Sequence, residues 1–95
     1  MQIEEISKAL SSKTRLRIIW ILKDREMTSI EVFEEYRKKY SDIKNRETIY
    51  NALERLTEVK ILKKEYEKEE KKLKYSIRAK IIVLDLIDNK IILKN

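Results

Sequence analysis

Ninety-five residues make one domain with a single modest core, so any sizeable partner site belongs on the surface or in a dimer groove. The net charge of +6 and pI near 9.5 favour polyanionic partners, nucleic acid ahead of an anionic membrane, although lysine also serves solubility. Cysteine and histidine are both absent, which removes disulfides, thiol chemistry, Cys/His zinc sites and every imidazole-based catalytic scheme.

The first stretch already carries five charges by Leu16, and no run approaches the ~18 apolar residues of a membrane span. The chain therefore reads as soluble, cytoplasmic and nucleoid-associated, with no membrane partner. Charged residues are 42% of the chain and Gly and Pro are missing, a bias that fits a hot habitat and equally an AT-rich genome.

Ile3, Ile6 and Leu10 in IEEISKAL lie at helical spacing, predicting a first helix over about 3–10. Ser11 or Ser12 then offers an N-cap for a second helix over about 12–24. Its five consecutive apolar residues, Ile18 to Leu22, surround the axis, so this helix is expected under several neighbours with Trp20 in the core. Thr28 and Glu31 form a capping-box pattern for a third helix over about 29–40, with Val32, Phe33, Tyr36 and Tyr40 on one face. SDIKN is a polar break with one inward residue, Ile43. Asn45 caps a fourth helix over 46–59, anchored by Ile49, Leu53 and Leu56.

From Ile61 the period changes to two. Strands over about 61–67 and 72–77 make a hairpin whose charged tip, Lys68 to Lys72, needs more than a two-residue turn because it has no Gly. The tail, residues 78–95, holds nine Ile, Val or Leu among eighteen, and reads as a helix over about 79–92, the alternative being two strands turned at IDNK.

This order is the layout of a winged helix-turn-helix, a mostly α chain with a two-stranded β wing (α+β). KALSSKTRLRIIWIL (residues 8–22) resembles the Leu-Ser-x-x-x-Arg-apolar opening of ArsR-type repressors, and ETIYNALERL (47–56) is similar to the recognition helix of PadR-type regulators. YSIRAKI (75–81) echoes the Tyr-x-Leu-Thr-x-x-Gly that closes the second wing strand in many such proteins. Lys60 stands where these families place a Gly after the recognition helix, and Arg78 and Ile81 replace the usual Thr and Gly. The metal-sensing ArsR-like proteins use Cys and His ligands, so metal sensing does not carry over; no metal, cofactor or small-molecule effector is expected.

The fourth helix sums to −1 over 46–59, two basic against three acidic residues. In helix-turn-helix docking the N-terminal residues of the second helix reach the bases. Asn45, Arg46, Glu47, Thr48, Tyr50 and Asn51 occupy that end, with Arg55 further along: Asn suits adenine, Arg guanine, Glu a cytosine amino group, and Thr or Tyr a phosphate. Residues 60–95 supply the missing charge, eleven basic against six acidic, or +5. Lys64, Lys68, Lys71, Lys72 and Lys74 in the wing, with Lys63, suit backbone or minor-groove contacts, and Lys44 suits a phosphate beside the fourth helix. The plainer reading makes the fourth helix a solvated amphipathic element and the wing lysines solubilising charges interleaved with Glu.

The chain is thus expected to be a sequence-specific double-stranded-DNA-binding regulator, a repressor and not an enzyme. It is expected to act as a homodimer through Ile3, Ile6, Leu10, Val83, Leu84, Ile87 and Ile91 in a single domain whose segment 78–95 dimerises. An architectural DNA binder with little sequence preference and a protein-interaction module are the alternatives.

Overall fold

Side-chain caps set where the helices begin. The computed structural model describes residues 2–42 and 44–95; Ile43, read above as the inward residue of the turn, lies outside the described residues. Helix α1 (Ile3–Leu10) starts without a side-chain cap, but Ser12 accepts from the Arg15 amide to open α2 (Lys13–Ile21). Thr28 and Glu31 exchange both bonds of a capping box at α3 (Ser29–Lys39), and Asn45 accepts from the Thr48 amide at 2.7 Å to open α4 (Arg46–Glu58). Arg15 also ties α1 to α2, its guanidinium donating to the carbonyls of Ala9 and Lys8.

Helix α4 ends in a tight left-handed closure. The Lys60 amide donates to the Thr57 carbonyl and the Ile61 amide to the Leu56 carbonyl, with Lys60 at φ 67° and Leu56 and Ile61 both buried. This is the Schellman arrangement, which normally takes glycine at the position Lys60 holds. It turns the chain directly into β1 (Leu62–Glu67), which pairs antiparallel with β2 (Lys72–Ile77) in the register Leu62↔Ile77 to Glu67↔Lys72. Met27 joins the same sheet, exchanging both backbone bonds with Tyr75, so the wing is tied to the segment before α3.

The core lies between α2, α3, α4 and the start of the wing, with Ile18, Leu22, Val32, Tyr36, Ile49, Leu53 and Leu56 all buried. The fold is α+β, a winged helix-turn-helix in which α3 and α4 form the helix pair and β1–β2 the wing.

Two expectations are overturned. Residues 79–92 are not a helix: they lie in a second hairpin, β3 (Ile81–Asp85) with β4 (Lys90–Lys94), paired Ile81↔Lys94 to Asp85↔Lys90. The β-branched residues Ile81, Ile82, Val83, Ile91 and Ile92 favour strand, and the turn is locally specified. Asp85 accepts from the amides of Ile87 and Asp88, and Asn89 takes the left-handed conformation at φ 52°. Ile82 and Ile91 pack against the core. Trp20 is also not core, being 55% exposed. Helix α2 and its C-cap bury Ile18, Ile21 and Leu22, and among the described residues the neighbours Ile77 and Ala79 leave Trp20 only partly covered.

Candidate nucleic-acid interface

Two clefts flank the start of α4. Ser29 and Ile30 of α3 face Arg46, Glu47 and Tyr50 across a hollow of about 220 Å³. On the other flank Ser12, Thr14 and Arg15 of α2 face Thr48, Asn51 and Ala52 across one of about 270 Å³. The first turns of α2 and α3 thus border the first two turns of α4. Sequence reading missed Ser12, Thr14 and Ser29 here: Ser12 signals only a helix start, and Thr14 and Ser29 are ordinary first-turn residues with no signal of their own.

Along α4, Arg46, Glu47, Thr48, Tyr50 and Asn51 are all exposed, whereas Ile49, Ala52, Leu53 and Leu56 are buried. Arg46 is steadied by its guanidinium lying 5.7 Å from the centre of the Phe33 ring, which Arg37 shares at 5.5 Å. Asn45 has its side-chain oxygen committed to the cap, which leaves its amide NH₂ as the only free polar end. The turn before α4 is held by Asp42, which accepts from Arg17 at 2.6 Å and from the Tyr36 hydroxyl at 2.9 Å while Arg17 stacks over Tyr40. Desolvation pushes the Asp42 carboxyl up, but Tyr36 and Arg17 outweigh it and hold it below the ordinary aspartate value. Lys44 lies 3.7 Å from the same carboxylate.

Two of the three acids of α4, Glu54 and Glu58, are matched by neighbouring groups, whereas Glu47 makes no ion pair among the described residues. Glu54 accepts from the Tyr75 hydroxyl at 2.6 Å and from Lys64 at 2.8 Å, so it pins the wing to the helix. Desolvation opposes its ionisation, yet the bonds from Lys64 and Tyr75 keep its pKa below the ordinary value. Burial and the same carboxylate drive the Tyr75 phenol well above its usual range, so it stays a donor. Glu58 pairs with Arg55 at 3.2 Å.

The wing lysines divide into two groups. Lys63 pairs with Glu65, Lys64 with Glu54, and Lys74, only 15% exposed, lies between Glu67 and Glu70, whose contacts raise its pKa. Among the described residues Lys68, Lys71 and Lys72 at the tip make no such pair and are exposed. Another hollow, about 460 Å³ along β1, is lined by Glu26, Glu65, Glu67 and Glu69 with Lys68 and Lys74. Its acid excess makes it a poor seat for phosphate.

Of the residues expected to meet a second copy, Ile6 is buried in the chain's own core at 1% exposure and has no surface to offer a partner. Leu10 and Ile91 pack partly on that core, Ile3 is half-buried, and Val83, Leu84 and Ile87 are exposed.

No protein-family model and no curated protein matches the sequence. Solved structures do. The ferric uptake regulator from Pseudomonas aeruginosa with manganese covers 100% of this chain and 75% of its own, with a TM-score of 0.64 and 14% identity. The Vibrio cholerae ferric uptake regulator (Fur), whose crystal structure reveals a rearrangement of its DNA-binding domains, covers 97% of this chain and 75% of its own, at 0.65 and 14%. These likenesses establish the fold. The manganese is a feature of the Pseudomonas protein; here Cys and His are absent, and among the described residues no three acidic groups converge to hold a metal ion. Among the same residues no helix is long and apolar enough to cross a membrane.

Proposed function

We propose that this chain is a DNA-binding transcriptional regulator, a cytoplasmic repressor that binds double-stranded DNA sequence-specifically as a homodimer. The observation that carries the reading is the separation of charge. The acids in the second half of α4 are matched by Arg55, Lys64 and Tyr75, leaving Arg46, Glu47, Tyr50 and Asn51 exposed at its first half and, among the described residues, three lysines without an ion pair at the wing tip. In this reading the first half of α4 enters the major groove, with Arg46 and Asn51 on base edges and Glu47, Thr48 and Tyr50 beside them. The first turns of α2 and α3 receive phosphates on either flank, and Lys68, Lys71 and Lys72 grip the backbone or the adjacent minor groove. Lys44, Arg55, Lys64 and Lys74 contribute field more than contact, since each already faces a carboxylate. The fold shared with ferric uptake regulators and the resemblance of residues 8–22 and 47–56 to ArsR-type and PadR-type regulators support a regulator; the reading needs no catalytic group, metal or effector.

Selection from random duplex DNA followed by titration of the winning site tests it. A regulator binds that site ~10³-fold or more tighter than random duplex, and Asn51→Ala relaxes preference at one base position at a cost of about 1–3 kcal/mol. Equal affinity for all duplexes would replace the regulator with an architectural DNA binder.

A further inference from the structure

The β3–β4 hairpin leaves apolar surface that its own core does not use. Among the described residues, seven of the eleven exposed large apolar side chains are Trp20 or belong to this hairpin. Ile81, Val83 and Ile92 share the hairpin face opposite Ile82 and Leu93, and Leu86 and Ile87 project at the tip, Ile87 being 94% exposed. The tip is acidic at both sides, Asp85 before it and Asp88 after it.

At the other end of the hairpin lies a counterpart. Ile19, Trp20, Ile77 and Ala79 line a hollow of about 280 Å³ with Lys23 and Lys80 at its rim. An apolar knob between two acids and an apolar socket between two lysines are complementary in shape class and in charge. Both belong to one chain, with Lys80 at the socket and Leu86 at the tip separated by six residues, about 20 Å along the strand at ~3.3 Å per residue, too far for the tip to reach its own socket. Two hairpins lying antiparallel about a two-fold axis bring each tip to the base of the other, so knob and socket are satisfied twice by one symmetry operation.

We propose that a second copy of this chain occupies the socket, the Leu86–Ile87 tip of one hairpin docking against Trp20 of the other between Lys23 and Lys80, with Ile81, Val83 and Ile92 along the seam. The proposal rests on the homodimer reading above and gives it a specific geometry. The exposed apolar surface involved is on the order of 700 Å², close to the ~800 Å² per partner of a stable interface. Asp85 keeps its turn-forming bonds in either state, so Asp88 is the freer of the two acids to meet a lysine.

Trp20 is the sole tryptophan, so its fluorescence reports on the socket directly. Sedimentation velocity and emission spectra are recorded on the full chain over a dilution series. The wild-type chain is expected to be a dimer whose emission shifts to the red as dilution dissociates it. Ile87→Glu is expected to be monomeric and red-shifted at concentrations where the wild type is dimeric, with an unchanged thermal melt at matched monomer population, because the Ile87 side chain is 94% exposed and its backbone bond to Asp85 is kept. Lys23→Glu with Lys80→Glu is expected to weaken the dimer at least tenfold, and adding Asp88→Lys to recover most of that loss. A wild-type chain that stays monomeric throughout overturns both the homodimer and this geometry. A dimer that survives Ile87→Glu with Trp20 emission unmoved overturns the geometry alone, since the copies then meet elsewhere.

Discussion

Glu54 couples the stability of the wing to the charge available for DNA, and replacing it with glutamine separates the two. The glutamine carbonyl of Glu54→Gln still offers the Tyr75 hydroxyl an acceptor, so the tether between α4 and β2 survives, but both bonds lose their ionic component. A hydrogen bond to a charged group is worth about 1 kcal/mol more than a neutral one. Tyr75 is buried and loses that difference in full; Lys64 is partly exposed and loses less. Glu54→Gln should therefore cost about 1–2 kcal/mol at neutral pH, a fall in Tm on the order of 5–10 °C for a domain this small.

The same change releases Lys64. If the wing lies along DNA, binding to any duplex should strengthen at low salt, and the slope of log K against log salt should steepen by about 0.9 for one added phosphate contact. The stability difference also has a defined pH course. The folded carboxyl has a pKa below its ordinary value near 4.5, so its stabilisation is complete above that value and is lost as pH falls through the lower folded one. Wild type and Glu54→Gln should converge in acid. Chemical denaturation at pH 7 and pH 3, with DNA titrations at three salt concentrations, checks all of this. A variant as stable as wild type at pH 7, or one that binds every duplex more weakly with an unchanged slope, would refute the reasoning.

Three further outcomes follow from single positions. Lys60→Gly should stabilise the fold by about 0.5–1 kcal/mol in urea denaturation, since relief of ~1–2 kcal/mol of left-handed strain exceeds the entropy glycine adds to the unfolded chain. Asn45→Ala should cost about 1 kcal/mol by removing the α4 cap, while Asn45→Ser recovers most of the stability and also the DNA affinity; retained stability with lost affinity would make Asn45 a base reader instead. Lys68→Gln with Lys72→Gln should weaken binding to all duplexes alike and flatten the salt slope by about 1.8 units, leaving the Tm within about 2–3 °C.

The helices and the wing were legible because their signals are local. Ser12, Thr28 and Asn45 mark helix starts by bonds that span three residues, and the change from period 3.6 to period two at Ile61 is a property of neighbours. The tail was ambiguous because a run such as IIVLDLI satisfies both periods, and the deciding terms were the Asp85 turn and the fit of Ile82 and Ile91 on a core assembled from distant residues. Trp20 failed for a related reason: encirclement of a helix by apolar residues says that several sides are sticky, not that each finds a neighbour. The charge pattern of α4 was the least legible feature. Its slight negative sum suggests a helix indifferent to DNA, yet Glu54 meets Lys64 ten residues on and Tyr75 twenty-one residues on, contacts that exist only after the wing has folded back. Net charge along a segment is therefore a poor guide to the field it presents; what matters is which charges the fold has already matched, and among the described residues those without an ion pair are Arg46 and Glu47 at the start of the helix and the three lysines at the wing tip.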